Sequence, residues 1–387
     1  MEARLRTRER FSRPGEQRCA LCGRSSPLIA AHLGICGPCV RARPAEARQV
    51  AAASHTAVRR AFRMPSVPPR APGGVRCGLC LHDCVLGEGD TGYCGLRTVQ
   101  GGRLVHLAGV PSRGLLHWYR DPLPTNCVAM WACAGRTQRG EHNLAVFYGS
   151  CTLNCLFCQN WHYRDLLPSP REVAALRGDP APGVAALRRR TTSAQELAAA
   201  ANAQTFCVCY FGGDPASQMP HALASAALLA RRGVVVCWET SGTANTALMD
   251  RAVELSLQSG GTVKFDLKAF DETLHIVLTG HTNRQTLANF ARAAGRVARR
   301  PEPPLVAAST LLVPGYVDAE EVGRIARFIA SFCRDIPYAL LGFAPNFYMP
   351  DLPCTSVGHA EEAAAAARDA GLTNVRIGNR HVLSRDY

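Results

Sequence analysis

The sequence predicts an α/β fold in which parallel strands curl into a full or partial (β/α)6 TIM-like barrel, preceded by small Cys-rich metal-binding modules. Three observations predict it. From Asn143 onward, six short β-rich runs alternate with amphipathic helical stretches. Each run ends in unusual polar chemistry. Most of the 18 cysteines fall in short-spaced sets, the pattern of metal ligands rather than of scattered bridges. An open doubly wound sheet has the same alternation of elements. The strand-end chemistry favours the barrel, where all C-terminal strand ends meet on one rim.

In chain order, residues 1–45 are polar and carry Cys19-x2-Cys22-x13-Cys36-x2-Cys39, two paired knuckles with the spacing of a tetrahedral zinc site, with Gly23 and Gly37 permitting the turns. This reads as a zinc-ribbon-like module; a second iron–sulfur centre and disulfides are its competitors. Residues 46–63 look helical, and 64–74 (MPSVPPRAPGG) have the composition of a linker, so 46–75 forms a helix and Pro-rich linker. A second Cys-rich module and its connection occupy 76–142, and the catalytic core is expected over 143–387.

Within that core the expected strands are Leu144–Tyr148, Phe206–Phe211, Val234–Trp238, Thr262–Phe265, Leu305–Val313 and Tyr338–Phe343. Helices are expected near Ala194–Asn202, Ser217–Arg232, Thr246–Gln258, Gln285–Ala298, Ala319–Cys333 and Glu361–Ala370. After the strands come, in order, Cys151; Gly212, Gly213 and Asp214; Glu239, Thr240 and Ser241; Asp266 and Lys268; Pro314-Gly315; and Ala344-Pro345-Asn346.

The loop after the first strand, Gly149-Ser-Cys151-Thr-Leu-Asn-Cys155-Leu-Phe-Cys158, has the spacing C-x3-C-x2-C. Three thiolates on one short loop can hold three irons of a cubane cluster and leave the fourth open to a small-molecule chelator. A zinc knuckle that borrows His162 is the alternative. The motif resembles the signature of the radical S-adenosylmethionine superfamily, with the aromatic Phe157 before its last cysteine. The following Gln159-Asn160-Trp161 narrows the resemblance to the group around the glycyl-radical-enzyme (pyruvate formate-lyase) activating enzymes and AmmeMemoRadiSam-type proteins.

The resemblance extends over roughly residues 76–387. It implies a radical SAM barrel, a [4Fe–4S] cluster on Cys151, Cys155 and Cys158, and S-adenosylmethionine as cofactor. Gly212-Gly213-Asp214 takes the place of the family's Gly-Gly-Glu, with Asp one methylene shorter; alone, the stretch also reads as a strand-to-helix turn capped by Asp-Pro. Glu239-Thr240-Ser241 resembles the family's Asp-Thr-Asn, and Asp266-Leu267-Lys268 its Asp-Leu-Lys, so these residues are expected near the cofactor. Leu311–Tyr316 and Gly371–Asn379 resemble later landmarks, while Ala344 stands where several relatives carry a histidine. The implied reaction is one-electron cleavage of S-adenosylmethionine to a 5′-deoxyadenosyl radical that abstracts hydrogen from a substrate, as an activating enzyme does from a protein. The cofactor supplies the hard chemistry, so no catalytic acid, base or nucleophile is sought.

Cys77-x2-Cys80-x3-Cys84-x9-Cys94 also resembles the group, and its four thiolates suit either zinc or an auxiliary cluster that relays electrons. His82 reads as a loop residue, and Cys127 and Cys133 as a pair too small to define a site. Cys207, Cys209, Cys237 and Cys333 read as buried small apolar residues; Cys354 is unassigned. A formal charge of +14 is spread over pairs such as Arg59-Arg60, Arg231-Arg232 and Arg299-Arg300 and the run Arg188–Arg190, expected as solvated helix ends and loops. No apolar run reaches eighteen residues, and Met1–Arg18 has no apolar segment behind it, which predicts a cytoplasmic protein with no membrane partner. The expected partners are an electron donor such as flavodoxin or ferredoxin and a protein substrate. Radical modification of RNA or a metabolite is an alternative, with nucleic acid not favoured. A non-catalytic metal-binding interaction protein is another.

Overall fold

A computed structural model describes residues 15–125, 127–168 and 191–387; Arg188–Arg190 lie outside them. The centre is a nine-stranded sheet. We number its strands β1 (Gly114–Pro122), β2 (His142–Tyr148), β3 (Thr191–Thr192), β4 (Thr205–Phe211), β5 (Val235–Thr240), β6 (Val263–Asp266), β7 (Val306–Leu312), β8 (Tyr338–Gly342) and β9 (Val375–Gly378). The order is β9-β8-β7-β6-β5-β4-β2-β1-β3. The seven strands β2 and β4–β9 run parallel, and β1 pairs antiparallel with β2 through Leu116↔Tyr148 to Pro122↔His142. β1 and β3 flank one side and β9 forms the other edge, so the barrel is partial, as expected.

The six strands expected from the alternation are β2 and β4–β8. The seventh, β9, falls inside the closing stretch Gly371–Asn379 and supplies one more parallel strand than expected. The helices are α1 (Gly37–Ala42), α2 (Pro44–Ala61), α3 (Ala194–Ala199), α4 (Met219–Ala230), α5 (Thr246–Ser259), α6 (Glu272–Thr279), α7 (Arg284–Ala294), α8 (Ala319–Ala330) and α9 (Val357–Asp369). Their ends follow from local chemistry. Ser193 and Glu196 form a reciprocal capping box on α3. Asp271 accepts the Leu274 N–H at 2.7 Å to start α6, and left-handed Gly280 ends it.

Alternation along the strands divides the side chains between two faces. Tyr210, Trp238 and Phe265 face the helices: Tyr210 stacks on Trp238 at 4.5 Å, the indole N–H donates to the Ala252 carbonyl at 3.1 Å, and Phe265 meets Phe290 edge-on. Cys207, Cys209, Cys237, Glu239, Lys264 and Asp266 occupy the opposite face, toward the barrel interior.

The first module packs onto this barrel and shares its core, with Ile29, Ile35 and Val40 in the same apolar cluster as Tyr316 and Val317. The buried Tyr316 hydroxyl accepts the Ala30 N–H at 3.0 Å and donates to the Ile35 carbonyl at 2.9 Å. Arg41 reaches Asp318 at 2.9 Å, and the Ala31 N–H donates to Asp351 at 2.7 Å. Gly37 owes its identity to this contact rather than to a knuckle turn, because a Cβ there would lie 2.2 Å from the Gly315 carbonyl oxygen. Gly23, at φ +75°, does serve a knuckle turn. The Arg pairs depart from expectation at one point. Arg59 is 1% exposed, with its guanidinium 3.3 Å from the centre of the Tyr93 ring.

Candidate functional site

The expected site residues lie at the C-terminal ends of the parallel strands. The triad loop leaves β2 at Tyr148 and is held by its backbone: the Asn154 and Leu156 N–H groups donate to the Thr279 and Leu278 carbonyls at the end of α6, at 2.9 and 3.1 Å. The Asn154 side chain meets His55 of α2 at 3.0 Å and accepts from Arg164 at 3.0 Å. Cys155 is buried and Cys151 and Cys158 are partly so. Burial pushes the Cys151 thiol well up and raises the Cys155 thiol to about 12. Thiolates on this loop therefore require a positive centre beside them. Lys268, which forms an ion pair with Asp266, stands 5.5 Å from the Phe157 ring centre.

The loop after β4 is stitched to the triad loop. The Asp214 N–H and the Ser217 hydroxyl both donate to the Ser150 carbonyl, at 2.8 and 3.2 Å. Gly213, at φ +47°, lies so close that a Cβ would come within 2.3 Å of the Ser150 and Tyr148 carbonyl oxygens. Only glycine permits this approach.

Asp214 is 3% exposed and its carboxylate is fully engaged. One oxygen accepts the Ala216 N–H at 2.7 Å and the Thr240 hydroxyl at 2.9 Å; the other accepts the Ser241 N–H at 2.8 Å and the Ser241 hydroxyl. Four donors occupy the roughly four lone-pair positions of a carboxylate. In this arrangement Asp214 braces the end of β4 against the end of β5 and caps the turn that leads into α4. Burial raises its pKa, opposed by the hydrogen bonds from Ser241, Ala216 and Thr240.

Glu239 turns away from Thr240 and Ser241 and pairs with Lys264 at 2.9 Å. Lys264 was not anticipated. It is 3% exposed and also donates to Cys209 at 3.1 Å and to Cys127 at 3.4 Å. Burial pulls against its charge, but the Cys127 and Cys209 sulfurs and Glu239 outweigh it and hold Lys264 protonated. Cys207, Cys209 and Cys237 are buried as expected, yet they border a buried cation rather than a purely apolar interior. Cys333 is half-buried, a departure from the expected burial. The sequence signal for Lys264 was present: in Val263-Lys264-Phe265-Asp266 the strand period points Lys264 and Asp266 to the same inner face.

His82 lies in a loop, but it is 2% exposed, packs tilted against Tyr93 with ring centres 4.1 Å apart, and meets the Thr152 carbonyl of the triad loop. It thereby joins the second Cys-rich module to the site. Cys77, Cys80, Cys84 and Cys94 line one cavity in that module.

Among the described residues, only Cys19, Cys22, Cys36 and Cys39 gather three or more ligand atoms within 4.8 Å of one another. Cys22 and Cys36 place their sulfurs 3.8 Å apart. Burial opposes ionisation of Cys19, but hydrogen bonds from the Cys36, Cys22 and Leu21 backbone outweigh it and hold the thiol near 6. This set can bind a metal ion. The triad and His162 do not converge in this way. Among the described residues, no helix is long and apolar enough to cross a membrane.

Known proteins place this geometry in context. An uncharacterized protein of Methanocaldococcus jannaschii is 24% identical over 331 residues, 79% of this chain and 81% of that protein. A putative glycyl-radical enzyme activating enzyme of the same organism is 35% identical over 81 residues, 21% of this chain and 30% of that one. The isethionate sulfite-lyase activating enzyme of Oleidesulfovibrio alaskensis is 31% identical over 134 residues, 34% of this chain and 40% of that protein. The chain thus spans less than half the length of either activating enzyme. Among solved structures, a domain of pyruvate-formate lyase-activating enzyme from Bacteroides vulgatus overlaps 45% of this chain and 99% of its own, at 20% identity and a TM-score of 0.35. The family model of the Radical SAM superfamily matches residues 145–329, from within β2 through the triad loop to α8, so this stretch of the chain is similar to the radical SAM domain.

Proposed function

We propose that this chain is a radical SAM enzyme whose Cys151, Cys155 and Cys158 hold a [4Fe–4S] cluster, and that its substrate is a protein or peptide. One observation carries the reading. A loop with three cysteines that do not approach single-ion spacing is fastened through Ser150 to the glycine turn after β4, on the rim where Ser241, Asp266 and Lys268 also lie. When bound, the cluster and S-adenosylmethionine supply a 5′-deoxyadenosyl radical by one-electron cleavage of the sulfonium, with methionine as the other product, and the radical takes a hydrogen atom from the substrate.

The chain's own residues fit that pair of groups. Three partly or fully buried thiols on one loop, two of them, Cys151 and Cys155, held neutral by burial, suit a cationic iron core. Lys268 and Arg164 bring positive charge to the loop. Gly212 and Gly213 let the turn after β4 pack directly on Phe147 and the triad loop, and Thr240 and Ser241 are fixed by Asp214 so that the rim keeps its shape. The protein-substrate part of the reading is supported by the names of the two partial relatives, both activating enzymes. A flavodoxin- or ferredoxin-type donor would deliver the electron, in the cytoplasm. At Cys19, Cys22, Cys36 and Cys39 we assign structural zinc: tetrahedral Zn–S bonds of about 2.3 Å put sulfurs about 3.8 Å apart, the separation found between Cys22 and Cys36.

Anaerobically reconstituted protein given dithionite and S-adenosylmethionine should release 5′-deoxyadenosine, and Cys158→Ala should abolish the release. Absence of 5′-deoxyadenosine from a preparation with an intact cluster would overturn the enzymatic reading. Deuterated peptides that transfer no label into 5′-deoxyadenosine, when a small metabolite does, would overturn the protein-substrate part.

A further inference from the structure

Cys77, Cys80, Cys84 and Cys94 surround one cavity of the second Cys-rich module, and the spacing alone suits either zinc or an iron–sulfur cluster. The molecule carries its own ruler for deciding between them. The Cys19 set gathers its four sulfurs within 4.8 Å, as one tetrahedral ion requires. No three of Cys77, Cys80, Cys84 and Cys94 do so, although all four line the same space. The triad shows the same open spacing. Sulfurs that face a common centre yet stand too far apart for one ion suit a polynuclear centre, with each thiolate on a different iron.

A second observation points to an anionic occupant. Arg97 lines the cavity and is 1% exposed. Its guanidinium donates to the Leu96, Ala108 and Ser217 carbonyls at 2.9, 2.8 and 3.0 Å, and its Nε is buried without a hydrogen-bond partner. It forms no ion pair with a carboxylate among the described residues. A cluster held by four thiolates carries net negative charge and would give this cation its counterpart. Asp83, also on the lining, is paired with Arg76 at 2.6 Å.

The cavity adjoins the radical site. Ala216 and Ser217, which follow the Asp214 brace, form part of its wall, and the Ser150 hydroxyl donates to the Cys94 carbonyl at 2.8 Å. The Leu81 N–H donates to the Thr243 carbonyl at 2.9 Å, and Thr243 meets Thr152 of the triad loop at 2.6 Å.

We propose that Cys77, Cys80, Cys84 and Cys94 ligate a second, fully protein-bound [4Fe–4S] cluster beside the triad. The proposal rests on the radical SAM reading only for its neighbour, and its test separates the two. Protein reconstituted anaerobically with ferrous iron and sulfide is analysed for iron, sulfide and zinc, alongside the triad variant Cys151→Ala/Cys155→Ala/Cys158→Ala. Wild type should hold about eight irons and the triad variant about four, each with roughly one zinc. The iron remaining in the triad variant should show the optical and Mössbauer signature of a four-cysteine cubane. Cys80→Ser/Cys84→Ser should remove the other half of the iron; if that variant fails to fold, the triad variant decides alone. An iron-free triad variant with about two zincs per chain would overturn the proposal while leaving the radical reading intact. A wild type that takes up no iron would overturn both.

Discussion

Asp214→Asn separates two roles for the carboxylate in the glycine turn. The structure gives Asp214 four donors and no spare lone pair, which makes it a brace between β4 and β5. Asparagine keeps one oxygen, enough for the Ala216 N–H and the Thr240 hydroxyl. Its amide nitrogen then faces the Ser241 N–H, a donor against a donor, while the Ser241 hydroxyl can rotate to accept. One buried N–H is orphaned, which costs about 1–3 kcal/mol. Relief from burying a charge offsets part of this, so a loss of about 1–2 kcal/mol is expected. Asp214→Ala orphans two buried N–H groups and should cost about twice as much. Urea titration reads the stability, and equilibrium binding of S-adenosylmethionine to cluster-loaded protein reads the site. The brace predicts lower stability in both variants, with folded Asp214→Asn binding S-adenosylmethionine within about threefold of wild type, roughly 0.6 kcal/mol. Unchanged stability with binding weakened by about tenfold or more would show instead that Asp214 holds the cofactor's ammonium directly, and would refute the reasoning.

Lys264→Met leaves Glu239 without its counter-charge; because Glu239 keeps 24% side-chain exposure, the loss should fall near the low end of the range for broken buried pairs, about 3 kcal/mol. Lys264→Met/Glu239→Gln should recover part of it in urea titration, and a double variant no more stable than the single one would contradict the pairing. Tyr316→Phe removes a hydroxyl that serves one buried N–H and one buried carbonyl, and a loss of about 2–4 kcal/mol is expected. Protease cleavage within 15–63 should accelerate, and a stability within 0.5 kcal/mol of wild type would count against a docked module. Burial lowers the pKa of His55, His221 and His275 to about 4. Their unfolded value is about 6.5, so between these limits the unfolded chain binds protons that the folded chain does not. Stability from these residues is therefore complete above about pH 6.5 and falls as pH drops toward 4. The urea midpoint, measured with zinc supplied, should be lower at pH 5 than at pH 7.5; an equal or higher midpoint at pH 5 would contradict this.

The strands that carry the rim were legible because each is a short apolar run closed by Gly, Pro or charged residues, and the observed ends lie within about two residues of the expected ones. β9 was not legible: Val-Arg-Ile-Gly is too short to show a period, and its place beside β8 is a tertiary fact. Beyond the two residues that pair with β3, β1 lies open along its outer side, carries Arg120 toward solvent and ends in Pro122, as edge segments do, and so read as an irregular connection. α6 had both of its signals, Asp271 before it and Gly280 after it, but its β-branched and apolar content masked an eight-residue helix. The triad and its neighbours along the strand ends were readable from spacing. What Asp214 binds was not, because three of its four donors come from β5 or the residue after it, more than twenty positions away. The same holds for Lys264, whose identity is local and whose surroundings are not.

The contact that joins Tyr316 to Ala30 spans 286 residues of chain. At synthesis rates of about 5–20 residues per second, the landing surface for the first module leaves the ribosome roughly 15–60 s after the module itself. During that interval the four clustered thiols near the N-terminus can already be filled, whereas Ala30, Ile35 and Gly37 have no Pro314–Tyr316 turn, and α2 no α6, to lie against. The earliest-made part of the chain is thus among the last to reach its final position, and the loop that carries Cys151, Cys155 and Cys158 acquires its His55 neighbour only then.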